Sequence, residues 1–269
     1  MGAPKLKRNR IAPLRPAAPG PEKKLVRQRV AALDQIRGAG IVMMIFFHLC
    51  FDLKTFASSP PSFISLLPES FWRYFPEAIG TIFFFCFGAS AKLAADSEGG
   101  RPNIHSSLRR FLALLAVALG ITISTAIFTP KLTIYFGVIH CMAVCLLLLN
   151  PLVTKPNLCL GIGLVSILAG AWLKWQTFSL SYFAWLGFYT ASGPAGGDNY
   201  PIFPWFGVAL AGAFLGPIIF NKNDRPSTNL RFLKPLQKLG QHSLLIYLIH
   251  QPILILVIMA AEKIQKFTN

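Results

Sequence analysis

The chain has 269 residues, 54% of them hydrophobic and only 13% charged, where a soluble domain carries roughly 25% charged residues. That excludes a soluble globular protein and points to an integral membrane protein. The formal charge of +16 is no nucleic-acid footprint, because the basic residues collect on alternate connections between apolar runs.

In chain order, residues 1–29 come first. They combine Lys5, Lys7, Arg8, Arg10, Arg15, Lys23, Lys24, Arg27 and Arg29 with five prolines and almost no apolar periodicity. They read as a disordered basic tail at the anionic cytoplasmic surface. No small-residue cleavage site follows, so a signal peptide is not expected. Seven apolar runs then form one membrane domain over 30–269, at 31–53, 75–95, 108–128, 135–153, 157–173, 203–220 and 241–260. The expected fold is all-α, a bundle of about seven transmembrane helices. With the N-terminus inside, nineteen lysines and arginines fall on inner segments and six on outer ones (Lys54, Arg73, Lys131, Lys174, Lys263 and Lys266). This asymmetry predicts a cytoplasmic N-terminus and, with seven spans, a C-terminus outside.

The first span, AALDQIRGAGIVMMIFFHLCFDLK, is the most informative. Asp34, Arg37, His48 and Asp52 fall within roughly a 60° arc of a helix, because spacings of 3, 11 and 4 nearly close whole turns. Ionisable groups at membrane depth are costly and mark function. His48 can act as a base or nucleophile, and Asp52 one turn away is placed to orient it. Asp34 and Arg37 can pair along the helix, and Arg37 with Arg109 and Arg110 suits a phosphorylated ligand arriving from inside.

The outer connection FASSPPSFISLLPESFWRYFP offers Trp72, Tyr74 and Phe75 as interface anchors or as part of a lid. In the fourth span, YFGVIHCMAVCLLLL, His140 lies at a depth comparable to His48. The five cysteines, Cys50, Cys86, Cys141, Cys145 and Cys159, lack CxxC spacing and read as packing thiols; no metal site is expected. Gly and Pro in TASGPAGGDNYPIFPW predict an irregular segment lining a cavity, with Asp198, Asn199, Tyr200 and Trp205 as candidates to bind a substrate. The last span, QHSLLIYLIHQPILILVIM, adds Tyr247 and His250 on one polar face, with Pro252 expected to kink it near Leu248. No Walker loop, GxGxxG, HExxH or GxSxG signature occurs, which argues against nucleotide hydrolysis, soluble-type proteolysis and dinucleotide chemistry.

The motifs ALDQIRGAGIVMMIFFHLCFDL, IFFFCFGASAKL, YFGVIHCMAVCLLLL, YPIFPWFGVALAGAFLG and LGQHSLLIYLIHQPIL, in this order, resemble the heparan-α-glucosaminide N-acetyltransferase catalytic-domain family in its small prokaryotic branch. The resemblance implies acetyl transfer from cytoplasmic acetyl-CoA to an amino sugar or related glycan on the outer side. On that reading Asp34, Arg37, Arg109 and Arg110 serve the donor. His48, Asp52, His140 and His250 form the catalytic set. Asp198, Asn199, Tyr200, Trp205 and Tyr247 serve the acceptor. The expected partners are acetyl-CoA, the glycan, the bilayer and a second copy of the chain in a homodimer. The lysosomal enzyme of this family has an essential histidine in the lumenal loop after its first span; this chain departs from that pattern, with no histidine between His48 and His105, and the role is assigned to His48 on the physics of the polar stripe. The DxxRG opening and YLIH ending are shared more loosely with membrane O-acyltransferases of surface polysaccharides. Two non-enzymatic classes use the same residues: a b-type haem protein with axial ligands from His48, His140 and His250, and a transporter using the stripe as a proton relay.

Overall fold

The computed structural model describes residues 21–97, 104–179, 181–191, 193, 198–220 and 233–268. The tail up to residue 20, Arg101 and most of the inner basic stretch at 221–232 lie outside the described residues. Those described form nine α-helices and no strand: α1 (Pro21–Phe56), α2 (Ser62–Ser65), α3 (Glu69–Ser97), α4 (Ile104–Phe128), α5 (Val138–Leu149), α6 (Pro156–Leu173), α7 (Ile202–Ile219), α8 (Lys234–Gln241) and α9 (Ser243–Thr268). Residues 21–29, assigned to the basic tail by composition, are the first turns of α1.

Six helices are long and apolar enough to cross a bilayer: α1 from Ala31, α3, α4, α6, α7 and α9. The fourth of the seven expected spans, 135–153, contracts to the 12-residue α5, about 18 Å long. Gly137 starts it, Asn150 ends it, and Pro156 opens the next helix. It packs along α4, because Thr122 meets His140 at one end of the α4–α5 pair and Ser107 meets Asn150 at the other. The two helices therefore run antiparallel. α9 continues through Pro252 as one helix.

Hydrocarbon supplies no drive for apolar faces to leave it, so helices in a membrane associate through close backbone approach at small residues. At the α3–α7 crossing, a Cβ on Gly88 would stand 1.7 Å from the Ala209 carbonyl oxygen, and one on Gly212 would stand 2.1 Å from that of Phe85. The α1–α8 contact works likewise, with Gly38 against Leu236 and Gly240 against Asp34. The core therefore sits around α3, α5 and α7, with Phe84, Cys141, Cys145, Ala209 and Leu210 fully buried.

The periphery is the reverse. α4 buries only Ala118 and exposes Leu112, Leu119, Ile123 and Ile127, while α9 exposes Ile253, Leu256 and Val257. Apolar faces of this extent belong in lipid, and this is a multi-pass membrane protein. Exposed Tyr74, Tyr135, Trp175, Tyr182 and Trp185 gather where α3 and α5 begin and α6 ends, as an interfacial aromatic belt does.

Candidate functional site

At that same end lies a cavity of about 450 Å³, walled by α1, α3, α6, α7, α9 and the irregular segment before α7. The segment is pinned from both sides. The Tyr200 amide donates to the Phe136 carbonyl at 3.0 Å, and the Tyr200 hydroxyl donates to the Pro76 carbonyl at 2.9 Å. Gly80 makes room for it, since a Cβ there would lie 2.5 Å from the Tyr200 ring. Tyr200 packs on Trp205, which stacks on Phe84, with ring centroids 4.9 and 5.4 Å apart. Asn199 donates to the Tyr189 hydroxyl at 3.1 Å. The expectation of irregular backbone lining a cavity thus matches the geometry, and Asp198, Asn199, Tyr200, Trp205 and Tyr247 all face the same space.

Asp198 stands at the N-terminus of α5, where its Oδ2 accepts a long 3.4 Å bond from the Val138 amide. Only a glycine fits beside it, because a Cβ on Gly137 would come within 2.6 Å of that oxygen. Burial pushes the Asp198 carboxyl up to about 6, against the pull of the Val138 amide. Elsewhere in the wall, Glu77 is neutralised by Lys174 at 2.7 Å.

His48 reaches the cavity from α1. Behind it, α1 and α9 enclose a polar cluster. The His48 and His250 rings meet edge to face with centroids 4.9 Å apart. Asp52 is fully buried and accepts a 2.8 Å bond from Gln251 Nε2 on its Oδ1. His250 Nδ1 lies 2.7 Å from the Tyr247 carbonyl, which can only accept, so this nitrogen carries the proton and Nε2 is bare. Four buried atoms here have no hydrogen-bond partner among the described residues: His48 Nδ1, Asp52 Oδ2, His250 Nε2 and Gln251 Oε1. Natural interiors rarely leave such atoms unsatisfied, and those that do so tend to be sites of chemistry.

Three expectations are corrected. Asp52 does not orient His48: its hydrogen bond goes to Gln251, across the helix seam. Sequence reasoning passed over Gln251, whose signal was an amide at bilayer depth beside a histidine. His140 is no part of the cavity wall. Its Nδ1 accepts the Gly137 amide at 3.2 Å and its Nε2 meets Thr122 Oγ1 at 3.1 Å, while Thr122 donates to Ile134. Both nitrogens are occupied in holding α5 on α4. The three arginines do not share one site. Arg37 donates to Asp34 and to Ser90, each at 2.6 Å. Arg110 borders a separate cavity of about 40 Å³ with Ser106, Ser107 and Asn150, and Arg109 is exposed.

A haem axially held by these histidines does not fit. His140 has no free nitrogen, and rings packed edge to face at 4.9 Å leave no space for a macrocycle between His48 and His250.

A family model described as heparan-alpha-glucosaminide N-acetyltransferase, catalytic, matches residues 29–252, most of the chain. No curated protein and no solved structure matches it.

Proposed function

We propose, from a chain that belongs to the heparan-alpha-glucosaminide N-acetyltransferase catalytic family and is therefore a membrane acyltransferase, that it moves an acetyl group from cytoplasmic acetyl-CoA to a glycan amine on the outer side of a bacterial inner membrane. The observation that carries this reading is a histidine, His48, in the wall of a 450 Å³ cavity, backed by a buried seam in which its Nδ1 has no hydrogen-bond partner among the described residues. A base used in chemistry has to keep a nitrogen free for its substrate.

The nineteen-to-six split of basic residues supports a cytoplasmic N-terminus, which turns the cavity outward. Trp72, Tyr200 and Trp205 offer flat apolar faces, and Asp198 and Asn199 offer polar ones, a mixture suited to a sugar ring. At the opposite end, Arg110 with Ser106, Ser107 and Asn150, and Arg109 beside them, suit the phosphates of the donor. Arg37 lies between the two ends, about 16 Å along α1 from His48. Paired to Asp34, it shapes the route rather than serving as a free phosphate fork.

In the transfer, the acceptor nitrogen attacks the thioester carbonyl carbon. The C–N bond forms, the C–S bond breaks, the nitrogen's proton passes to His48, and the CoA thiolate leaves. In the two-step variant His48 first takes the acetyl group itself.

The test is calorimetric binding of acetyl-CoA to the detergent-purified chain, with labelled acetyl transfer to glucosamine and mass spectrometry for an acetyl adduct. Binding and transfer that vanish in Arg110→Ala and His48→Ala respectively support the reading, and an adduct on His48 selects the two-step variant. Failure of the wild type to bind acetyl-CoA overturns it.

A further inference from the structure

The four partnerless atoms of the α1–α9 seam are more than His48 needs to act as a base. Asp52 is a carboxylate with one amide donor in a membrane interior, where an uncompensated charge is costly. Gln251 Oε1 and His250 Nε2 are acceptors with nothing to accept. A proton on His250 Nε2 turns one of these acceptors into a donor and sets a positive charge in the same seam as the Asp52 carboxylate.

We propose that Asp52, Gln251 and His250 form a proton-holding cluster behind His48, with Gln251 the positioning residue that fixes Asp52 and His250 Nε2 the atom that receives the proton His48 takes from the acceptor. The inference rests on the assignment of His48 as base. His250 is pinned by its Nδ1–H bond to the Tyr247 carbonyl. His48 has no such bond at Nδ1, and histidine χ2 is a broad torsion. His48 is thus not tied down at Nδ1, and its ring stands between the cavity wall and a fixed neighbour whose ring is 4.9 Å away.

The balance is simple. The proton leaves the acceptor nitrogen for His48, and His48 returns to neutral by giving a proton to His250 Nε2. The resulting imidazolium keeps its Nδ1–H bond to Tyr247, and the Asp52 carboxylate compensates its charge. The proton later leaves to the departing CoA thiolate, so no net charge stays in the membrane.

Other titratable groups around the seam are accounted for. On α1, Asp34 and Arg37 pair with each other, Cys50 is a buried thiol, and Lys54 stacks over Trp72. On α9, Tyr247 faces the cavity and Glu262 binds Ser58. From α3, Glu77 pairs with Lys174 of α6, and Arg73 lines the mouth. From α8, Lys238 and His242 are exposed.

The test uses the full chain in detergent and two variants. Asp52→Asn keeps an acceptor for Gln251 and removes the carboxylate; Gln251→Ala removes the anchor. Nitrogen-15 NMR of labelled histidines is followed against pH without substrate, and the pH profile of acetyl transfer is recorded with the KM values. In the wild type, His48 and His250 are expected to titrate as a coupled pair in two macroscopic steps. Both variants are expected to change the proton affinity of that pair about tenfold or more, to move the pH profile, and to lower kcat with KM held. Histidine titrations unchanged in Asp52→Asn and Gln251→Ala overturn the cluster even if acetyl transfer is confirmed. A coupled titration that responds to both variants in a protein without acetyl transfer upholds the cluster and places the failure in the transferase reading. If Gln251→Ala does not fold, Asp52→Asn decides alone.

Discussion

Two helix seams of this protein each bury a histidine, and they differ in what surrounds it. At the α4–α5 seam, His140 spends both nitrogens on Gly137 and Thr122, and Thr122 passes its own proton to Ile134. At the α1–α9 seam, His48 and His250 each leave a buried nitrogen without a hydrogen-bond partner among the described residues, as do an Asp52 oxygen and a Gln251 oxygen of the same seam. The first arrangement is a completed network and stabilises; the second leaves buried polar atoms unpartnered among the described residues, and these are the atoms the proposed chemistry uses. A histidine at membrane depth therefore says little by itself, and the state of its two nitrogens says a great deal.

The strongest way to break this comparison is to remove His48. His48→Ala is expected to lower acetyl transfer by about 10²–10⁴-fold, the range for a positioned general base, while the protein inserts and migrates as wild type. Unchanged turnover would remove His48 from the chemistry. Next in size is the satisfied network at the other end of α1. Arg37→Ala leaves Asp34 buried without its cation, which is expected to cost roughly 3–5 kcal/mol of stability, read as a lower midpoint of thermal unfolding. If the fold instead holds and only acetyl-CoA affinity falls tenfold, about 1.4 kcal/mol, Arg37 binds the donor directly.

His140→Ala sharpens the contrast from the other side. It is expected to cost about 1–3 kcal/mol of stability, because the Gly137 amide and Thr122 lose their partner, with kcat close to wild type. A lost kcat in a fully stable protein would return His140 to the catalytic set. The smallest effect is expected at Asp198. Its folded value, about 6, lies above the ordinary 3.8 because of burial. The folded state therefore holds this proton more tightly than the unfolded one. The associated stability is complete below the ordinary value and is lost as pH rises through about 6. Unfolding midpoints across that window should fall in the wild type and flatten in Asp198→Asn; parallel curves would show that Asp198 does not titrate there.

Much of the site could be read before the fold was known, because it follows a helical period. Asp34, Arg37, His48 and Asp52 share a face by spacing alone, and in α1 they do point inward, toward Ser90, the cavity and Gln251. The group formed by Asp198, Asn199, Tyr200 and Trp205 was legible for a different reason: Gly and Pro in TASGPAGGDNYPIFPW preclude a continuous helix, and irregular backbone at that depth is tolerated where it lines a cavity, where these residues lie. What spacing could not supply was the partner across a seam. Asp52 lies one turn from His48, which suggested a bond along the helix, yet the amide that takes its oxygen comes from a helix 199 residues later in sequence.

Composition and hydropathy by themselves determined that this is a multi-pass helical membrane protein and located six of its apolar helices, and helical spacing determined which residues form the polar stripe. Those properties depend on transfer free energies and helical periodicity, and both are local in the chain. Only the tertiary structure decided which polar groups are satisfied. It paired Arg37 with Ser90, closed His140 onto Thr122, and brought His250 and Gln251 to the stripe. A hydrogen bond between helices depends on their crossing, and here the crossings at α3–α7 and α1–α8 are set by where glycines let backbones touch. Which histidine nitrogens are satisfied and which are not is therefore a property of the packing.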